Sequence, residues 1–158
     1  MSRRVARRSR VVVDTGVVVS AFAFGGVPQQ TLVAVLRAAE VCVSPDLLAE
    51  YRAVPQALLA ARKITGEQFR SLVAGIAAFV SDARLMVPER VVRLCRDRKD
   101  DMVLECCLTA RAHHLITGDR DLLDLRVAVA GIPGLKRLEI VTPRTYLDGV
   151  VRRRSRRR

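Results

Sequence analysis

Val11-Val12-Val13-Asp14-Thr15-Gly16 is a short apolar run that ends abruptly in a carboxylate and a glycine-containing turn. The same arrangement returns twice. Val41-Cys42-Val43 gives way to Ser44-Pro45 and reaches Glu50, and Leu115-Ile116-Thr117 gives way to Gly118-Asp119. Runs this short, apolar at successive positions and closed by turn residues, predict strands buried on both faces, as in a parallel sheet. Between them lie segments of helical periodicity, and no internal repeat is present. Strand alternating with helix predicts an α/β fold, a three-layer sandwich with a mainly parallel central sheet, and 158 residues suit a single domain.

Local signals place the elements. Val17–Val19 reads as a weak resumption of the first strand. Phe24-Gly25-Gly26-Val27 reads as a loop, and Pro28 can open a helix to about Ala39. Ser44 followed by Pro45 marks a helix start, with the helix running through about Ala61 and Pro55 expected to kink or split it. Thr65-Gly66-Glu67-Gln68 is a capping box for a helix over Gly66–Val80, where Phe69, Leu72, Val73 and Ile76 recur at helical spacing. A strand is expected at Leu85–Val87, then an irregular polar stretch to Asp100, a helix over Asp101–Ala112, and a short helix or turn from Asp121. Gly131-Ile132-Pro133-Gly134 forms a loop. Leu138–Val141 forms the last strand, and Thr142-Pro143 caps a helix through Asp148.

The formal charge of +12 is concentrated at the ends. Arginines 3, 4, 7, 8 and 10 and arginines 152, 153, 154, 156, 157 and 158 account for eleven of the 28 basic residues, leaving 17 against 16 acids in the body. Residues 1–10 and 150–158 are therefore expected to be disordered basic tails flanking a domain over 11–149. Such tails attract polyanions without sequence preference. Cys42, Cys95, Cys106 and Cys107 have neither C-x-x-C spacing nor a partner histidine pattern, so buried free thiols are expected and a zinc site is not. No apolar run reaches membrane-span length, and the amino terminus lacks a secretory pattern, so a cytoplasmic protein is expected.

The acids carry the chemistry. Asp14, Glu50, an acid of the Asp97-Arg98-Lys99-Asp100-Asp101 cluster and Asp119 all fall beyond strand ends or at helix starts, on the edge where parallel α/β sheets bind ligands. Converging carboxylates repel one another and lose hydration unless a cation holds them. Hard, oxygen-preferring ions suit that donor set, Mg²⁺ foremost with Mn²⁺ as substitute. Asp46 is explained by the dipole of its helix, two residues past the Ser44 cap. Glu105 shares a helical face with Asp101 and reads as exposed. His113-His114 makes a poor joint metal site, because neighbouring side chains diverge. Ser20 and Ser44 are hydroxyls near the same edge.

These motifs resemble the PIN-domain ribonucleases, of the kind found as toxins in bacterial toxin–antitoxin pairs. The resemblance covers about residues 11–148. It rests on Val11-Val12-Val13-Asp14-Thr15, Ser44-Pro45-Asp46-Leu47-Leu48-Ala49-Glu50, Asp100-Asp101-Met102-Val103-Leu104-Glu105 and Leu115-Ile116-Thr117-Gly118-Asp119-Arg120-Asp121-Leu122-Leu123, closed by Ile140-Val141-Thr142-Pro143. It implies Mg²⁺-dependent cleavage of single-stranded RNA by metal-activated water, with Asp14, Glu50, Asp101 and Asp119 as the catalytic, metal-holding acids. Within the acidic cluster, the family's register selects Asp101, sixteen residues before Thr117. Asp100, Asp121, Ser20 and Thr117 are then expected just outside the ligand set. The resemblance further implies a cognate antitoxin as partner, with homodimerisation as an option. Asp97-Arg98-Lys99 departs from the family pattern by its added positive charge.

Two rivals remain from other classes. One is a catalytically inactive RNA-binding protein of the same fold, which the presence of all four acids disfavours. The other is a phosphatase with Asp14 as nucleophile. Such enzymes carry a second Asp two residues on, where this chain has Gly16.

Overall fold

A computed structural model describes residues 8–156. Its centre is a five-stranded sheet in the order β3-β2-β1-β4-β5, built from β1 (Ser9–Val13), β2 (Ala39–Val43), β3 (Arg84–Leu85), β4 (His114–Ile116) and β5 (Glu139–Val141). Every pairing is parallel. Val11, Val12 and Val13 are wholly buried in the middle strand, which explains why no polar residue interrupts them. Val11 is opposite Val41 on one side and His114 on the other, and Leu115 is opposite Ile140. Strand order runs outward in both directions from the β1/β4 pair, and the crevice beyond the strands' carboxyl ends opens there.

Helices flank the sheet: α1 (Thr15–Phe24), α2 (Gly26–Ala38), α3 (Pro45–Ala60), α4 (Gly66–Val80), α5 (Arg98–Ala110), α6 (Arg120–Leu123), α7 (Arg126–Ala130) and α8 (Pro143–Ser155). Sequence and structure agree closely at the capped helices. Ser44 accepts from the Leu47 N–H at the start of α3, and Thr65 and Gln68 form the reciprocal capping box of α4. Each cap contributes about 1 kcal/mol. The Phe22 ring of α1 lies where a Cβ at Gly75 would stand, so α4 approaches α1 at that glycine.

Several expectations are revised. Val17–Val19 is helical, because Asp14 caps α1 and buries those valines against the core, which overrides their strand preference. Pro55 does not split α3. That helix runs unbroken over sixteen residues with Pro55 buried inside it. The loop at Phe24–Val27 shrinks to Gly25, whose φ of 72° lets α1 pass directly into α2. α7, with Val129 buried, was not foreseen. The segments expected as tails are partly structured: β1 begins at Ser9, and α8 continues well past Asp148, carrying residues 150–155. Residues 1–7 and 157–158 lie outside the described residues. Among the described residues no single helix is long and apolar enough to cross a membrane. Cys42, Cys106 and Cys107 are buried and Cys95 is half-buried, all as free thiols.

Candidate active site

Asp14 leaves the end of β1 and caps α1, its Oδ1 accepting from the Thr15 N–H at 2.9 Å. Its other oxygen accepts from the Thr117 hydroxyl at 2.7 Å. Thr117 is fully buried just past β4 and also accepts from the Asp119 N–H at 3.0 Å. One hydroxyl thereby ties the carboxylate after β1 to the loop after β4. The Asp14 N–H donates to the Ile116 carbonyl at 2.9 Å, which continues the sheet to this point. Asp119 caps α6 through the Asp121 N–H.

Asp14, Thr15 and Asp119 line a cleft of about 570 Å³ beyond the carboxyl ends of β1 and β4, a volume typical of ligand-binding clefts. Its carboxylates are Asp14, Glu50, Asp97, Asp100 and Asp119. Ser20 and Gly118 line it too, and Lys99 brings a cation to the wall. Asp121 is exposed at its margin, beyond the lining. Ser44, in contrast, is fully buried as the α3 cap.

The structure thus brings together Asp14, Glu50 and Asp119 but not Asp101. Helix α5 begins at Arg98, with Asp97 as its cap accepting from the Lys99 N–H, three residues before the expected start. Successive helical side chains diverge by about 100°, so neighbouring acids face different surroundings. Asp100 lines the cleft. Asp101 is turned inward, only 3% exposed, and accepts from the Leu94 and Cys95 N–H groups at 2.9 Å each. Glu105, expected to be exposed, is buried on the same inner face and accepts from the Val92 N–H and the Arg98 guanidinium. Asp101, Glu105 and Arg98 together pin the irregular segment before α5. The sequence held one usable signal for this: Asp97 and Asp100 stand three apart, the spacing of an N-cap and the N3 position, which share a side of the helix.

Electrostatics separates the two groups. Burial raises the Asp14 carboxyl above its ordinary value against the pull of Thr117 and the Thr15 N–H, and Asp119 adds to the rise. Burial also raises Glu50, with Asp14 and Asp97 adding to it and Lys99 opposing. Asp100 is pushed up to about 6 by burial and by the charges of Asp119, Asp14, Asp97 and Asp121. For Asp101, burial acts upward, yet the Leu94 and Cys95 donors and Arg98 outweigh it and hold the carboxyl below its ordinary value. Around Asp14, Glu50 and Asp100 burial and like charge prevail over the one cation, Lys99, whereas Asp101 is satisfied.

A cation of the hard, oxygen-preferring class fits this donor set. The Thr15 hydroxyl beside Glu50 is buried and has no hydrogen-bond partner of full geometry. Among the described residues no three His, Cys, Asp or Glu side chains already close into a metal cage. The acids face one another across an open cleft.

The PIN domain family model matches residues 10–121, the stretch that holds β1 through the α6 cap. The chain belongs to the PIN-domain family. A search of curated proteins found no match. Among solved structures, the fold is similar to that of VapBC2 from Rickettsia felis, bound in that crystal to a DNA fragment from their promoter. The similarity spans 83% of this chain and 98% of that one, at 13% identity and a TM-score of 0.53, and establishes the shared fold.

Proposed function

We propose that this PIN-domain protein is a Mg²⁺-dependent endoribonuclease that cleaves single-stranded RNA, with Mn²⁺ able to substitute, and that it acts as the toxin of a toxin–antitoxin pair. One observation carries the reading: five carboxylates line one cleft at the carboxyl edge of the sheet, where burial and the neighbouring carboxylates together push Asp100 up to about 6. A nuclease must bring a polyanion to that cleft, which bare carboxylates would repel.

Asp14, Asp100 and Asp119 would hold the cation, directly or through water, and Glu50 would complete the site. A bound Mg²⁺ supplies an acidified water and neutralises charge gathering on the phosphorus. The chain's residues do the rest. Thr117 fixes the Asp14 carboxylate, so one oxygen points where its hydroxyl dictates. Glu50, half-buried and raised in pKa, is placed to orient the attacking water and accept its proton. Lys99, on the wall, offers a counter-charge to a phosphate oxygen. Water adds across a P–O ester bond, and one fragment keeps the phosphate while the other leaves as a hydroxyl. Asp101 takes no part in this scheme and serves to hold the chain before α5.

A cognate antitoxin as partner follows from the toxin reading, which the fold shared with VapBC2 supports. The decisive experiment is cleavage of a labelled single-stranded RNA by purified protein. EDTA should stop it, and Mg²⁺ or Mn²⁺ should restore it. Cleavage that persists in EDTA and is lost on mutating a histidine or lysine would refute the mechanism.

A further inference from the structure

The opposite edge of the sheet, where the strands begin, has the reverse charge. Two cavities lie along it. Beneath β3, β2 and β1, Arg8, Arg10 and Arg84 line one with Glu40 and Asp82. Beneath β4 and β5, Arg152, Arg153 and Arg156 of α8 line the other, with Glu139 and the buried His114. Glu40 is already shared, 3.8 Å from Arg10 and 3.7 Å from Arg84. Glu139 faces His114 at 3.7 Å. Among the described residues Arg8, Arg152, Arg153 and Arg156 make no ion pair. Six cations thus stand against three acids along a front five strands wide, roughly 19 Å at the usual strand spacing.

We propose that this amino edge is a second RNA-binding surface, which grips the phosphate backbone of a long substrate while the carboxyl-edge cleft cuts it. This deepens the nuclease reading and rests on it. A strand of β1's length separates the edges by roughly 17 Å, so RNA confined to the cleft does not reach the arginines. A longer strand passing around the domain touches both. Five of the arginines are exposed and Arg10 is half-buried, with no aromatic side chain among their exposed neighbours, so the contact is to phosphate and independent of sequence. Arginine's planar fork suits that target.

The test uses the full chain carrying Arg152→Gln, Arg153→Gln and Arg156→Gln together. Binding is measured in EDTA, where the bare cleft carboxylates repel RNA, against a long labelled oligouridine of about 30 nucleotides across a salt series. The long RNA should lose about tenfold or more in affinity, and its log–log salt slope should flatten by about 2, the value for three phosphates on a single strand. A charge-matched control carrying Arg52→Gln, Lys63→Gln and Arg70→Gln, exposed residues that line neither edge's cavities, should lose about twofold or less. Equal losses for the two triple variants would make the effect one of net charge and overturn the proposal. Unchanged binding of the long RNA would also overturn it. Because EDTA removes cleavage from the readout, failure here is distinguishable from failure of the Mg²⁺-dependent cleavage assay.

Discussion

The two edges of one sheet differ in charge as sharply as they differ in chain direction. At the carboxyl edge five acids share a cleft with Lys99, and at the amino edge six arginines outnumber three acids. In an all-parallel sheet every strand starts at one edge and ends at the other. A sequence that puts arginine before its strands and aspartate after them therefore separates charge across the domain without any long-range device. Five of the six arginines come from the basic ends of the chain, so the sequence shows the excess of charge and only the fold shows that it gathers at one edge.

The largest effects should fall at the carboxyl edge. Asp14→Asn, Asp100→Asn and Asp119→Asn should each reduce cleavage on the order of a thousandfold, as expected when several kcal/mol of metal-derived stabilisation are lost. In metal-free buffer the same variants should melt at or above the parent temperature, because each removes repulsion. Rate and melting temperature of each variant, measured side by side, check both halves. An Asp100 variant with parental activity would remove that residue from the site.

Asp101 should behave in the opposite way, although it is the next residue along. Asp101→Ala takes the acceptor from the Leu94 and Cys95 N–H groups at a part-buried position, a loss on the order of 3 kcal/mol. For a chain of this size that lowers the melting temperature by about 10 °C. At low temperature, where the variant is folded, cleavage should remain near the parental rate. The pair Asp100 and Asp101 thus separates chemistry from scaffolding within one turn of α5.

That pair also shows where the sequence stopped being readable. The parallel α/β architecture could be read from Val11–Val13, Val41–Val43 and Leu115–Ile116, because buried parallel strands tolerate no polar interruption. The caps at Ser44 and Thr65 were readable because each satisfies backbone donors locally. Asp14 and Asp119 could be placed at the edge because each directly follows a strand. The spacing of Asp97 and Asp100 was a signal for Asp100 over Asp101 but not a deciding one, since the choice depends on a helix starting at Arg98 and on a preceding segment whose N–H groups needed an acceptor. The burial of Glu105 depends on the same segment. Both are tertiary facts, absent from local pattern.

The cleft's pH dependence sharpens the contrast. Asp100 binds its proton more tightly when folded, at about 6, than the ordinary value of 3.8. Below 3.8 the carboxyl is neutral in both states and costs nothing. As pH rises through 3.8 towards 6 the unfolded chain releases the proton first, so metal-free stability falls across that window. Asp100→Asn should flatten the fall in melting temperature between pH 4 and about 6.5. Mg²⁺ should raise the parent's melting temperature more above that window than within it, since protons compete for the same oxygens. Equal increments on both sides would mean that Mg²⁺ does not engage Asp100.

The amino edge should show the smallest effect, and the opposite sign. His114 is buried at the start of β4, edge-on to the Tyr146 ring at 5.3 Å, and its Nδ1 has no hydrogen-bond partner. Burial holds its pKa below 6.5, and Arg153 and His113 act in the same direction, against the opposing charge of Glu139. The folded state therefore resists protonation that the unfolded chain accepts. Above 6.5 both states are neutral at this position and its contribution is complete. As pH falls through 6.5 the unfolded state gains a proton first and stability is lost. His114→Leu should remove that loss, so the difference in melting temperature between variant and parent should widen in the variant's favour from pH 7.5 to pH 5.5. A constant difference would mean that His114 keeps its ordinary proton affinity, shifted neither by burial nor by the cations beside it.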